Sequence, residues 1–159
     1  MAFNNNVWIA KNRGINCFYT VNGVIERFTD RNLYGSVPNQ TVEQLFFDKE
    51  NSLWISSFDG LYQWNPKLKK FNHFENMPTN ITSAVATDST VYFSADNKFY
   101  YFNKNDKKLI RVPNNEINLK NIKGVNLLTD ETLLLTGNTG FSSLNIKDLT
   151  FKEDIAQVK

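Results

Sequence analysis

At 159 residues, with 41% hydrophobic and 14% aromatic side chains, the chain carries enough apolar material for a substantial core. A formal net charge of +2 is too small to single out nucleic acid as a partner, and one cysteine, Cys17, excludes an internal disulfide. No apolar run is long enough to span a bilayer, and Met1 leads through AFNNN straight into strand-like sequence, so neither membrane contact nor an export signal is expected in this segment.

Taken in chain order, four stretches align without a gap: VWIAKNRGINCF (7–18), LWISSFDGLYQW (53–64), VYFSADNKFYYF (91–102) and LLLTGNTGFSSL (133–144). Each reads as an apolar strand, a polar turn and a second strand ending on a large apolar residue, the pattern of a tight hairpin. The turn closes on Gly14, Gly60 and Gly140, with Lys98 as the departure. The anchors Trp8, Trp54, Tyr92 and Leu134 recur about every 40 residues, the period of propeller blades with four strands each.

The flanks repeat as well. Ile25, Phe71, Leu109 and Phe151 follow Tyr19, Asn65, Asn103 and Asn145 at one spacing, each within a short alternating segment after a turn rich in Asn, Lys and Asp. Upstream of the later anchors, VEQLFFD (42–48), ITSAVATD (81–88) and IKGVNLLTD (122–130) supply one more strand each and end on Asp48, Asp88 or Asp130. The expected unit is therefore four strands, a to d, and the expected fold is all-β: a single β-propeller repeat array over 1–159, of about four blades of four antiparallel strands. The blades are expected at about 5–28, lacking strand a, and at about 41–74, 81–112 and 122–153. Only DIAQVK follows the last unit, with Ile155 and Val158 too sparse for a full strand, so the array is expected to be a partial propeller cut from a longer one.

The second unit, NSLWISSFDGLYQWNPKLKKF, resembles the repeat of two-component regulator propellers through Asp48, Leu53, Trp54, Ile55, Gly60, Leu61, Pro66 and Phe71. The first unit matches through Val7, Trp8, Ile9, Gly14 and Ile15, while the third and fourth diverge at Tyr92, Leu134 and Lys98. The resemblance implies the sensing region of bacterial hybrid two-component sensor histidine kinases, a periplasmic or extracellular location within a membrane-anchored parent, and tuning to saccharides. It also implies that any kinase activity belongs to parts of the parent outside this segment.

The residues themselves point to binding and not to catalysis. His73, the single histidine, lies in KFNHF on an expected rim strand, where exposure or one hydrogen bond accounts for it. No Ser, His and Asp set, HExxH, CxxC pair or phosphate loop is present, so no catalytic residue, metal site or cofactor is expected. Asp48, Asp88 and Asp130 read as turn residues and not as a cation site. Trp8 and Trp54 read as packing between blades before sugar platforms, and Cys17 as a small core residue.

In a propeller the b-to-c and d-to-a loops emerge at one face. The b-to-c loops carry Lys11, Asn12 and Arg13; Phe58 and Asp59; Asp96 and Asn97; and Asn138. That mixture of amide, charged and aromatic groups suits an oligosaccharide or another small polar ligand. Tight turns also demand Asn, Asp and Gly, which leaves Arg13 and Phe58 least explained by turn chemistry. The long connection 29–41 adds Arg31 and Tyr34. Lysines 67, 69, 70, 104, 107, 108 and 147 read as solvated turn residues, not a polyanion surface. The alternatives to a sensor are a protein-interaction propeller and, least supported, a propeller lyase or glycosidase. Self-association through open blade edges is a further expectation.

Overall fold

The computed structural model describes residues 2–3, 5–11, 14–29, 38, 41–113 and 119–154. Among them the backbone forms four antiparallel meanders of four strands each, and no helix. Sheet 1 is β1 (Ala2–Phe3), β2 (Asn6–Ala10), β3 (Ile15–Tyr19) and β4 (Val24–Phe28). Sheet 2 is β5 (Val42–Phe47), β6 (Leu53–Ser57), β7 (Gly60–Asn65) and β8 (Lys70–His73). Sheet 3 is β9 (Ile81–Ala86), β10 (Thr90–Ala95), β11 (Lys98–Asn103) and β12 (Leu109–Arg111). Sheet 4 is β13 (Gly124–Thr129), β14 (Thr132–Gly137), β15 (Gly140–Asn145) and β16 (Phe151–Asp154).

The repeat seen in the sequence is a repeat of register. The anchors Trp8, Trp54, Tyr92 and Leu134 pair with Cys17, Gln63, Tyr101 and Ser143, at one separation in all four sheets. Phe18, Trp64, Phe102 and Leu144 pair in the same way with Ile25, Phe71, Leu109 and Phe151. One expectation is corrected. Sheet 1 does have a strand in the first place, because Asn5 takes a φ of 61° and turns Ala2–Phe3 back onto Asn6 and Val7. Asn5 is accessible to this left-handed conformation where most residues are not, and its carbonyl accepts from Thr20 N at 2.9 Å and Thr20 Oγ1 at 2.6 Å.

The turns explain where the repeat departs from itself. Gly60 and Gly140 open β7 and β15 at φ of 127° and 134°, a conformation that a Cβ opposes. Sheet 3 moves the left-handed conformation earlier, to Asp96 (48°) and Asn97 (62°), making a type I′ turn. Lys98 then needs no unusual φ, and so replaces glycine at no steric cost. The c-to-d turns share a second rule. Asn65 Oδ1 accepts from the amides of Lys67 and Leu68, Asn103 Oδ1 from Asn105 and Asp106, and Asn145 Oδ1 from Lys147. Four residues past the end of strand c, Gly23, Lys69, Lys107 and Leu149 all have φ between 51° and 70°. In the last of these turns the Thr150 hydroxyl and amide donate to Asp148 and hold its carboxyl below the usual range.

The chain packs as two compact units, 1–81 and 82–159. In the first, Trp8, Ile15, Cys17 and Phe28 of sheet 1 meet Val42, Leu53, Ile55, Tyr62 and Phe71 of sheet 2. Phe28 lies 5.5 Å from Trp8, 4.9 Å from Trp64 and 5.5 Å from Phe71 between ring centroids, so one phenyl holds three aromatic contacts across the two sheets. In the second, Tyr92 and Phe99 meet Val125, Leu133, Leu135 and Leu144, with Val112 and Ile122 from the connecting segments. Side chains sew these two sheets together as well. Ser83 Oγ accepts from Val125 N at 3.1 Å and donates to Val125 O at 3.3 Å, while Ser94 Oγ donates to Lys123 O at 3.4 Å.

Asp48 is the most engaged turn residue. Only 5% exposed, it accepts from Ser52 N through Oδ1 and from Trp54 Nε1 through Oδ2, both at 2.8 Å. Trp54 is 1% exposed and stacks on Phe46 and Phe74, so this carboxylate fixes both the a-to-b turn and the anchor that follows it. Asp88 and Asp130, at the corresponding places, are exposed. In sheet 3 Thr87 Oγ1 instead accepts from Thr90 N, and in sheet 4 Thr129 Oγ1 accepts from Glu131 N, each at 3.3 Å.

Asp48→Asn leaves a buried indole N–H facing an uncharged or donor group, and is expected to destabilise the first unit by about 2 to 3 kcal/mol in urea unfolding. Asp88→Asn and Asp130→Asn are expected to stay within about 0.5 kcal/mol, as exposed substitutions usually do. Leu149→Gly is expected to stabilise by about 0.5 to 1 kcal/mol, because relief of the left-handed Cβ clash exceeds the added unfolded-state entropy. Thermal and urea unfolding of these variants check all three statements.

Candidate functional site

In sheets 1, 2 and 4 the b-to-c turns are hydrogen-bonded to connecting segments at the same end of the sheet. Gly14 N donates to Pro38 O at 3.1 Å, Asn138 N to Lys120 O at 2.8 Å, and Lys120 N to Thr139 Oγ1 at 3.1 Å. The turn of sheet 2 is held twice: Phe58 N donates to Thr41 O at 3.0 Å, and Phe58 O accepts from Asn80 N at 2.7 Å. Its backbone is thus fixed on both sides while its ring, 49% exposed, projects outward.

The other residues of that turn are partly committed to it. Ser57 Oγ donates to Asp59 Oδ1 and accepts from Asp59 N at 3.1 Å, so turn chemistry accounts for this carboxylate. His73 joins the turn from β8. Its ring stacks on Tyr62 at 4.4 Å, and Nε2 lies 3.1 Å from Asp59 O. A carbonyl only accepts, so Nε2 is the donor in this contact. The Gly60 backbone runs directly beneath: a Cβ there would meet His73 Nε2 at 3.0 Å and Met77 Cβ at 3.6 Å. His73 therefore meets, at Asp59 O, the turn that carries the exposed Phe58.

The remaining candidates stand apart from it. Lys11 is exposed in sheet 1, and with the Asn16 amide oriented to satisfy its neighbours, Lys11 Nζ donates to it at 3.1 Å. Asp96 and Asn97 share the exposed type I′ turn of sheet 3, and Asn138 occupies the exposed turn of sheet 4. Asn12, Arg13, Arg31 and Tyr34 lie outside the described residues. Trp8 and Trp54 are buried between or within sheets and offer no open platform. Cys17 is buried beside Trp8, and burial pushes its thiol above the usual range. Tyr19 OH donates to Glu26 at 2.5 Å, and burial together with that carboxylate raises the phenol in the same sense.

His73 is exposed on the fourth strand with one hydrogen bond, as the sequence suggested, but its place against the Phe58 turn was not foreseen, although a signal for it was present. Once Phe71 is placed opposite Trp64, His73 must fall opposite Tyr62, two positions from Gly60.

No protein-family model matches the sequence, and no curated protein matches it. Among solved structures, the extracellular domain of a protein described as the hybrid two-component system BT3049 from B. thetaiotaomicron superposes with a TM-score of 0.75 at 16% identity, over 93% of this chain and 22% of that one. The extracellular domain of BT4673 from B. thetaiotaomicron, described as a one-component system, gives 0.73 at 16% identity, over 94% of this chain and 21% of that one. The structure of U3-55K gives 0.72 at 11% identity, over 93% and 47%. This chain therefore spans about a fifth of the length of the two sensor-system domains and about half of the third. At these identities the likeness establishes the fold, a β-propeller-type array of four-stranded antiparallel sheets, which extracellular domains of such sensor systems share.

Proposed function

We propose that this chain is a ligand-binding portion of the propeller in a bacterial two-component sensor, located outside the cytoplasmic membrane, with saccharides as its ligand class. One observation carries the reading, that nearly the whole chain matches the fold of extracellular domains of such systems, and the resemblance of residues 48–71 to the repeat of two-component regulator propellers supports it. Fold alone does not assign function, so the ligand class rests on the surface chemistry. Phe58 offers an aromatic face suited to the C–H side of a sugar ring, and the exposed His73 ring a polar group held to the same turn. Phe58 stands on backbone held by hydrogen bonds at both its amide and its carbonyl, so little order has to be created there when a ligand arrives. In this reading the segment performs no chemistry, and phosphoryl transfer belongs to other parts of the parent protein.

A second reading, a protein-interaction propeller, draws on the same exposed phenyl ring, and the fold is equally similar to a structure not described as a sensor, that of U3-55K. The two separate in one experiment. Titration calorimetry against panels of neutral and acidic oligosaccharides is expected to show binding to one class. Phe58→Ala is expected to weaken that binding about tenfold, or about 1.4 kcal/mol. Leu68→Ala, exposed in the c-to-d turn at the far end of the same sheet, is expected to leave it unchanged. A protein that binds no saccharide in either panel removes this reading and leaves the interaction module.

A further inference from the structure

The turn between β3 and β4 carries the one Asn-Gly pair in the sequence, Asn22–Gly23, and every other asparagine is followed by a residue with a side chain. That pair has a chemistry of its own. The side-chain carbon of an asparagine, Cγ, lies within reach of the amide nitrogen of the next residue, and only a glycine there puts no Cβ in the way of a five-membered ring. Asparagine is for this reason among the thermolabile residues.

The structure leaves the pair open. Thr20, Val21, Asn22 and Gly23 are all exposed, in a turn at the end of sheet 1 and not on either of its faces. Gly23 takes a φ of 70°, and a Cβ built on it would meet no heavy atom within 4 Å beyond its chain neighbours. Val24 N donates to Asn22 Oδ1 at 3.1 Å, which draws charge from the side-chain carbonyl and steadies its oxygen as that turns negative under attack. One contact opposes the reaction. Gly23 N donates to Tyr19 O at 2.9 Å, so the nitrogen attacks when this bond at the exposed turn opens.

We propose that Asn22–Gly23 is a site of spontaneous covalent modification, deamidation through a succinimide. The Gly23 nitrogen gives its proton to solvent base and attacks Asn22 Cγ; a C–N bond forms, the bond from Cγ to the side-chain nitrogen breaks, and that nitrogen takes a proton from water and leaves as ammonia. Water then opens the ring. Breaking the new bond leaves aspartate, and breaking the original peptide bond leaves isoaspartate, with the chain routed through Cγ. The sister turns decide which product the fold accepts. Where sheet 1 has Asn22, sheets 3 and 4 have Asp106 and Asp148, and each accepts from the amide two residues on at 3.0 Å, as Asn22 does from Val24. Aspartate at position 22 is thus what the repeat already uses there. Isoaspartate adds a backbone atom between the paired Tyr19 and Val24 and displaces the acceptor, so it opens the turn. The modification does not depend on what the propeller binds.

Incubation of the full chain in mildly alkaline buffer tests it, read by intact mass and by mapping the peptide that spans Asn22. Position 22 is expected to gain about 1 Da ahead of every other asparagine, as a mixture of aspartate and isoaspartate. Gly23→Lys copies Lys69 and Lys107, which hold the same left-handed backbone at 51° and 56°, and is expected to slow the reaction about tenfold or more in a folded protein. Asn22→Asp is expected to keep the wild-type circular dichroism and unfolding midpoint, whereas the chromatographically separated isoaspartate form unfolds earlier. A folded chain that leaves position 22 unchanged overturns the proposal, and reaction of the urea-unfolded chain would then show that the turn protects the pair. So does a folded Gly23→Lys variant that reacts as fast as wild type, which places the chemistry elsewhere than at the Gly23 nitrogen.

Discussion

A four-stranded meander that is apolar on both sides cannot stand in water by itself, and this constraint organises the molecule. β6 (Leu53–Ser57) and β10 (Thr90–Ala95) are buried at every position, on both faces at once. Period-two patterning, which normally separates a core side from a solvent side, is therefore lost in the second strand of the sheet. The way to cover such a sheet is another sheet on each side, which is the physical content of the repeat. In each compact unit one such contact is realised, by Phe28 and its aromatic neighbours in the first and by Tyr92, Leu133 and Leu135 in the second.

Hydrophobic cover does not by itself set register, and polar groups do that work here. Each sheet needs its turns at fixed points so that large side chains meet large side chains across the interface. Sheet 2 uses a buried carboxylate, Asp48, which spans the turn and the Trp54 indole together. Sheets 3 and 4 meet the same need with threonine hydroxyls, which need no buried charge and leave Asp88 and Asp130 in solvent. This difference follows the anchors: only a tryptophan has an N–H in that position to satisfy, and Tyr92 and Leu134 do not.

The candidate site shows how a rigid scaffold frees a side chain. Phe58 occupies a turn whose amide and carbonyl are both used by neighbouring connections, so its ring is carried on fixed backbone while remaining half in water. Asp59, by contrast, spends an oxygen on Ser57 within the turn, and Asp96 and Asn97 are there because a type I′ turn requires residues that tolerate left-handed backbone. Residues of the same chemical kind thus divide into those that make the turn and those that the turn presents. That division depends on hydrogen bonds between loops distant in sequence, such as those from Thr41 and Asn80, which no local pattern contains.

By itself the sequence determined the strands from Asn6 onward, the hairpin positions and the register, because a period of two within strands and one spacing between strands c and d leave few ways to align apolar residues. It also determined the c-to-d turns, since Asn65, Asn103 and Asn145 carry their own caps. It did not reveal the strand Ala2–Phe3, whose two pairs rest on a single left-handed asparagine and not on any apolar pattern. Only the tertiary structure decided that Asp48 is buried while Asp88 and Asp130 are exposed, and that His73 lies against the Phe58 turn. The physical reason is the same in each case. Strand pairing is written in local spacing, whereas burial and the meeting of loops depend on which sheet face another sheet covers.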